Sequence, residues 1–172
     1  SIAIAGVMTM IEVAGLVAVI TVGWAHDPGV FARLPAAWPG LGNAAAWSGV
    51  LAASLMAVFA FIGFEGMANV AEEVREPQRT LPRAILITLL VTMALYVAVV
   101  WVAVNAVPVA ELGRSEAPLS LVFSRVTGAS PLVITLVAIV ATINGVIVFL
   151  VMASRVVHGM AAQGLIPAAL AR

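Results

Sequence analysis

One glutamate, Glu65, sits between Gly63 and Gly66 near the end of a long apolar run, in the stretch Phe59-Ala-Phe-Ile-Gly-Phe-Glu-Gly66. A carboxylate surrounded by hydrocarbon is costly, so a residue of this kind needs a purpose. Its glycine neighbours suggest one. Glycine lets a helix break, and a break frees backbone amides and carbonyls to meet a charged ligand. A half-helix beginning near Met67 aims its amides and its dipole at a carboxylate group. The freed carbonyls of the preceding half suit an ammonium group. Ile62, Gly63, Phe64, Glu65 and Gly66 are therefore the expected ligand-binding segment. The competing reading is that these glycines only allow close helix packing. Glu65 itself fits either a proton carrier or gate, or a structural carboxyl that caps the second half-helix.

Other polar residues in apolar surroundings are few. Glu12 lies mid-way along the first apolar run, in Met10-Ile-Glu-Val13. Its depth favours titration, or pairing with a cation on another helix, over a carboxylate that reaches the surface. Thr142, Asn144 and Ser154 lie along the last apolar run. A helix backbone absorbs Thr and Ser hydroxyls readily, whereas Asn is costlier to bury, so Asn144 is the pathway candidate of the three. Glu72, Glu73, Arg75, Glu76, Arg79 and Arg83 form a charge cluster after the second run. It reads as a solvated loop with weak ion pairs, or as an inner gate in which Glu72, Glu73, Arg75 and Arg79 close the pathway on one side. His26 and His158 are far apart and fall on opposite sides of the membrane. The chain has no Cys. No metal-ligand spacing, glycine-flanked nucleophile or catalytic triad is visible, so neither an enzyme nor a bound cofactor is expected.

These residues need a scaffold that suits lipid. Of 172 residues, 63% are hydrophobic and 9% are charged, and mean hydropathy is +1.17. Soluble domains carry about 25% charged residues. Four stretches are long and apolar enough to span a bilayer, at about 20 residues each: residues 2–24, 44–74, 81–107 and 132–154. The second is longer than a straight span requires, as a tilted or broken helix would be. The fold class expected is an all-α polytopic membrane protein in a single membrane domain, residues 1–172. Pro118 suits a helix start, and a short surface helix is expected over residues 117–126. Pro82 is expected in the first turn of the third span.

The arginines orient the spans. Arg75, Arg79 and Arg83 fall on the same side as Arg155 and Arg172, in short segments. Arg33, Arg114 and Arg125 are spread over two long connections. Arg in short loops marks the cytoplasm, so loop 75–81 and tail 155–172 are expected inside, with loops 25–43 and 108–131 outside. Trp24, Trp38 and Trp47 suit the outer interface. Net charge is zero, which gives no attraction to nucleic acid. All eight basic residues are Arg, and Ala is abundant. This composition suggests a GC-rich bacterial genome and hence a bacterial inner membrane. The first run lacks a basic n-region and is too long for a cleavable signal. Ser1 already lies inside an apolar run, which suggests a piece of a longer protein.

Two motifs then carry a resemblance. Phe61-Ile-Gly-Phe-Glu65, followed by Ala71-Glu-Glu-Val-Arg-Glu-Pro-Gln-Arg-Thr-Leu-Pro82, resembles the amino acid–polyamine–organocation permease superfamily. The tail Ala153-Ser-Arg-Val-Val-His-Gly-Met-Ala-Ala-Gln-Gly-Leu-Ile-Pro167 is similar to the same family's eighth span and following loop. The resemblance covers helices five to eight of twelve. It implies an inverted-repeat fold in which helices one and six unwind at mid-membrane. The second span here looks like helix six, and helices one and three are not in this chain. The resemblance also implies gating roles for Phe59 and Phe149, against the plainer reading of core packing. In the cationic-amino-acid-transporter branch a helix-five Lys stands in for a sodium ion near Glu12, and Glu departs from that pattern.

The implied function is secondary active transport of an amino acid or related amine by alternating access, as a proton-coupled carrier or an exchanger. Its partners are that substrate, protons, the bilayer and the remaining helices of the permease. These four spans alone are not expected to transport. The alternative is a non-transporting membrane sensor or subunit that keeps the fold.

Overall fold

A computed structural model describes residues 2–63 and 74–167. Phe64, Glu65, Gly66, Glu72 and Glu73 of the expected site lie outside the described residues, as does the end of the tail. The described residues are helical and include no strand. Four helices are long and apolar enough to cross a membrane: Ile4–His26, Ala44–Phe61, Pro77–Ala106 and Leu132–Ala161. The last two have 30 residues each. At 1.5 Å per residue each is about 45 Å long, more than the hydrocarbon core of about 30 Å, so their ends reach polar surroundings.

The chain divides into two compact units, Ser1–Val30 with Thr92–Arg172, and Phe31–Val91. In the first unit, α1 (Ile2–His26) packs against α6 (Leu132–Ala162) and against the short α5 (Pro118–Thr127). The second half of α3 (Pro77–Ala106) completes it. The core is a set of valines with a few partners: Val19, Val30, Val99, Val102, Val107, Val122 and Ile134 are buried. Glycines set how closely the helices approach. A Cβ on Gly15 would lie 2.6 Å from Val137 Cγ1 of α6, and one on Gly23 would collide with Val102 of α3. Small residues at such crossings let helix backbones come together in lipid, where packing rather than water drives association.

Polar ties finish this unit at its α5 end. Trp101 Nε1 donates to the Val30 carbonyl at 2.6 Å, joining α3 to the turn that follows α1. Asp27 accepts from the Gly29 amide at 3.0 Å and shapes that turn. A one-turn helix, α4 (Val109–Leu112), precedes α5. Arg125 of α5 pairs with Glu111 of α4 at 2.6 Å, both about half exposed. The short helix expected at residues 117–126 is present as α5. Pro118 takes its first position and Gly128 ends it, with φ +67° and an amide bonded to Ser124 O at 2.9 Å.

In the second unit, a 3₁₀ helix (Phe31–Ala37) leads to α2 (Ala44–Ala57). Asn43 caps α2 by accepting from the Ala46 amide at 3.1 Å. Trp47 donates to the Gly40 carbonyl at 3.3 Å and meets Trp38 edge-on, with ring centroids 5.7 Å apart. The α2 side chains are not buried within this unit, as suits a helix covered by lipid or by other helices.

The start of α3 differs from expectation. Pro77, not the turn around Pro82, takes the first position. The Glu76 carbonyl accepts from the Arg79 and Thr80 amides, both at 3.0 Å, so helical bonding is established before Pro82 is reached. Pro77 suits a first position because its missing N–H would have had no partner there. Pro82 then falls in the second turn and leaves the Gln78 carbonyl without its helical donor.

Candidate functional site

The α2 helix ends at Ala57, tightens to a 3₁₀ turn over Val58–Phe61, and then stops. Ile62 is extended, with ψ 133°, and Gly63 has φ +116°. A φ in that range is open to glycine and strained for any L-residue with a side chain. The helix therefore breaks inside its apolar run at the first of the two glycines singled out in the sequence. Within this unit Phe59 is 72% exposed, and Ile62 is also exposed. The other expected binding residues, Phe64, Glu65 and Gly66, lie outside the described residues.

A second polar group lies in the first unit. Asn144 Nδ2 of α6 donates to Glu12 Oε1 of α1 at 2.7 Å and to Thr9 Oγ1 at 3.3 Å. Asn144 is 5% exposed, and its Oδ1 has no hydrogen-bond partner among the described residues. The contact is possible because Gly15, three residues after Glu12, brings α1 against Val137. The structure thus joins Glu12 and Asn144, two residues from separate spans. Thr9 went unnoticed in the sequence, although its position three residues before Glu12 puts both on one helix face.

Beside this pair is a cavity of about 480 Å³. Glu12, Tyr96, Glu116 and Ser120 are its polar lining, among apolar residues of α1, α5 and α6. A second cavity of about 310 Å³ is lined in part by His26, Asp27 and Asn105. Neither Glu116 nor Tyr96 stood out in the sequence, because nothing in their spacing relates them to Glu12.

The remaining candidates are dispersed. Phe149 lies on α6, 56% exposed within its unit. Arg75 and Arg79 are exposed at the start of α3, where Thr80 Oγ1 donates to the Arg75 carbonyl at 2.9 Å. Glu76, between them in sequence, has φ +50°. Among the described residues, no three His, Cys, Asp or Glu side chains converge as metal ligands would.

Comparison with known proteins decides what these helices are part of. The model of the amino acid permease family matches residues 2–172. The chain belongs to that family. The chain matches the branched-chain amino acid permease BcaP of Bacillus subtilis with 33% identity, over 73% of this chain and 27% of that protein. It matches the vacuolar cationic amino acid transporter 2 of Arabidopsis thaliana with 33% identity, over 94% of this chain and 25% of that protein. It is 36% identical to the uncharacterized transporter Rv1999c of Mycobacterium tuberculosis, over 72% of this chain and 28% of that protein. The chain spans about a quarter of the length of these relatives. No solved structure matches it. The family is that of the amino acid–polyamine–organocation superfamily, to which the two motifs pointed, and it is a family of transporters rather than enzymes.

Proposed function

We propose that the protein carrying this chain moves amino acids or related amines across a bacterial inner membrane by alternating access. The observation that carries this reading is the break in α2 at Ile62 and Gly63, inside an apolar span of an amino acid permease. A helix broken at membrane depth exposes backbone groups that have to be satisfied, and an amino acid's ammonium and carboxylate satisfy both kinds. Ile62, Gly63, Phe64, Glu65 and Gly66 form the binding segment, and Phe59 and Phe149 the aromatic gates. Arg75 and Arg79, with Glu72 and Glu73, make the inner gate on the cytoplasmic side. The remaining substrate contacts come from helices outside this chain. Relatives named for branched-chain and for cationic amino acids support an amino acid substrate and leave its side chain open.

The test is uptake of labelled branched-chain, cationic and other amino acids by the full gene product in proteoliposomes, with and without an inward proton gradient. Accumulation driven by the gradient is the result expected of a proton-coupled carrier. Uptake only into vesicles preloaded with amino acid is the result expected of an exchanger. No uptake or exchange of any amino acid or amine by folded protein overturns the transport reading in favour of a sensor or subunit.

A further inference from the structure

We infer that Glu76 is a swivel latched by Thr80, at which the chain carrying Arg75 turns against the start of α3. The purpose of the turn, to move Arg75 of the inner gate relative to Arg79, rests on the transport reading.

Three observations carry it. First, Glu76 is strained. Its φ is +50°, and among the described residues no other residue except glycine has a positive φ. The left-handed region is costly for an L-residue. Pro77 adds to the cost, because the residue before a proline is pushed toward extended backbone. Glu76 also stands at the N-cap of α3, where its carbonyl accepts the first helical bond from the Thr80 amide at 3.0 Å. That place too is ordinarily extended. Three local preferences therefore favour an extended Glu76 over the conformation observed. Second, one residue holds it. Thr80 Oγ1 donates to the Arg75 carbonyl at 2.9 Å, while the Thr80 amide holds the Glu76 carbonyl. Rotating Glu76 to an extended φ carries the Arg75 carbonyl away from Thr80 and leaves the helical bonds of the Glu76 carbonyl in place. The hydroxyl bond is thus the one that the turn breaks. Third, there is room. Arg75 and Glu76 are exposed, and a hollow of about 340 Å³ is lined by Glu76, Pro77, Gln78 and Arg79.

The two opposing effects are of similar size. A net hydrogen bond from an exposed hydroxyl and the strain of one left-handed residue nearly cancel. Neither conformer of Glu76 then dominates, which is the condition under which a small load shifts the balance. The freedom is confined to one residue, because Pro77 fixes its own φ and keeps the helix side rigid. Arg75 lies before the swivel and Arg79 lies after it, in the first turn of α3. A turn at Glu76 therefore changes the spacing of these two cations without disturbing either span.

The test is pulsed electron paramagnetic resonance on the full gene product in lipid, in a background without other cysteines. Nitroxides are placed at Val74→Cys, before the swivel, and at Leu90→Cys, an exposed position about 20 Å along α3 from Pro77. The expected result is two distance populations. Glu76→Gly removes the left-handed strain and enlarges one of them by about tenfold. Glu76→Val, which resists a positive φ, and Thr80→Val, which lacks the hydroxyl, enlarge the other, Thr80→Val by about fivefold. Thr80→Ser keeps the hydroxyl and resembles the parent. A single distance distribution, unchanged across Glu76→Gly, Glu76→Val and Thr80→Val, overturns the proposal. So does a Thr80→Ser protein that behaves like Thr80→Val, because the hydroxyl would then not be the latch. A transported amino acid is expected to shift the ratio of the two populations. Populations that answer to the variants and not to that amino acid overturn the gating role. No uptake of any amino acid by protein that shows both populations would instead overturn the transport reading and leave the swivel standing.

Discussion

Gly63 concentrates the argument at the scale of single residues. Its φ of +116° is what turns the chain out of α2 after Phe61. Among the described residues, no atom beyond its neighbours lies within 4 Å of where a Cβ would be, so an added methyl acts on the backbone rather than by collision with them. That strain costs about 1–2 kcal/mol for an L-residue. If it falls on the binding-competent conformation, Gly63→Ala lowers uptake by about tenfold or more, while expression and thermal stability stay near wild type. Uptake assays paired with thermal unfolding in detergent separate the two. Equal uptake by Gly63→Ala would mean that the left-handed turn plays no part in transport. Glu12 and Asn144 show the opposite relation to sequence. Each was legible as a polar residue in an apolar span, because burial of either is costly enough to single it out. Their contact was not legible, since a separation of 132 residues carries no spacing signal. Only the crossing of α1 and α6 at Gly15 creates it.

At the scale of elements, local chemistry made the short helix after the third span readable. Pro118 pre-sets the first helical φ, and Gly128 ends the helix in the left-handed region at +67°. Gly128 has open space where its Cβ would be, so Gly128→Ala loads the C-cap by about 1 kcal/mol through the backbone alone. Amide hydrogen exchange over residues 125–128 is expected to quicken roughly fivefold. Gly40→Ala serves as the control, with similar open space and no positive φ. Unchanged exchange in Gly128→Ala would mean that the Arg125–Glu111 pair, rather than the cap, holds the end of α5. The start of α3 was less readable because two prolines compete for the first position. Pro82 seemed to fit, being next to the apolar run. Pro77 takes the position because the Glu76 carbonyl already accepts two amides. A span is the part of a helix that lies in hydrocarbon, and periodicity says little about how far the helix continues into the interface.

At the scale of the whole molecule, four spanning helices impose a strict alternation of sides, so fixing one connection fixes all of them. The arginines supply the bias: Arg75 and Arg79 stand in the short segment between the second and third spans, with Arg83 at the start of the third, and connections 25–43 and 108–131 hold three across much longer stretches. The 172 residues contain no Cys, so single introduced thiols in this region report cleanly. In intact cells a membrane-impermeant thiol reagent is expected to label Ala36→Cys and Ala129→Cys, both at exposed positions. Gln78→Cys, exposed beside Arg79, is expected to react only after permeabilisation. The reverse pattern would put the Arg75–Arg83 segment outside.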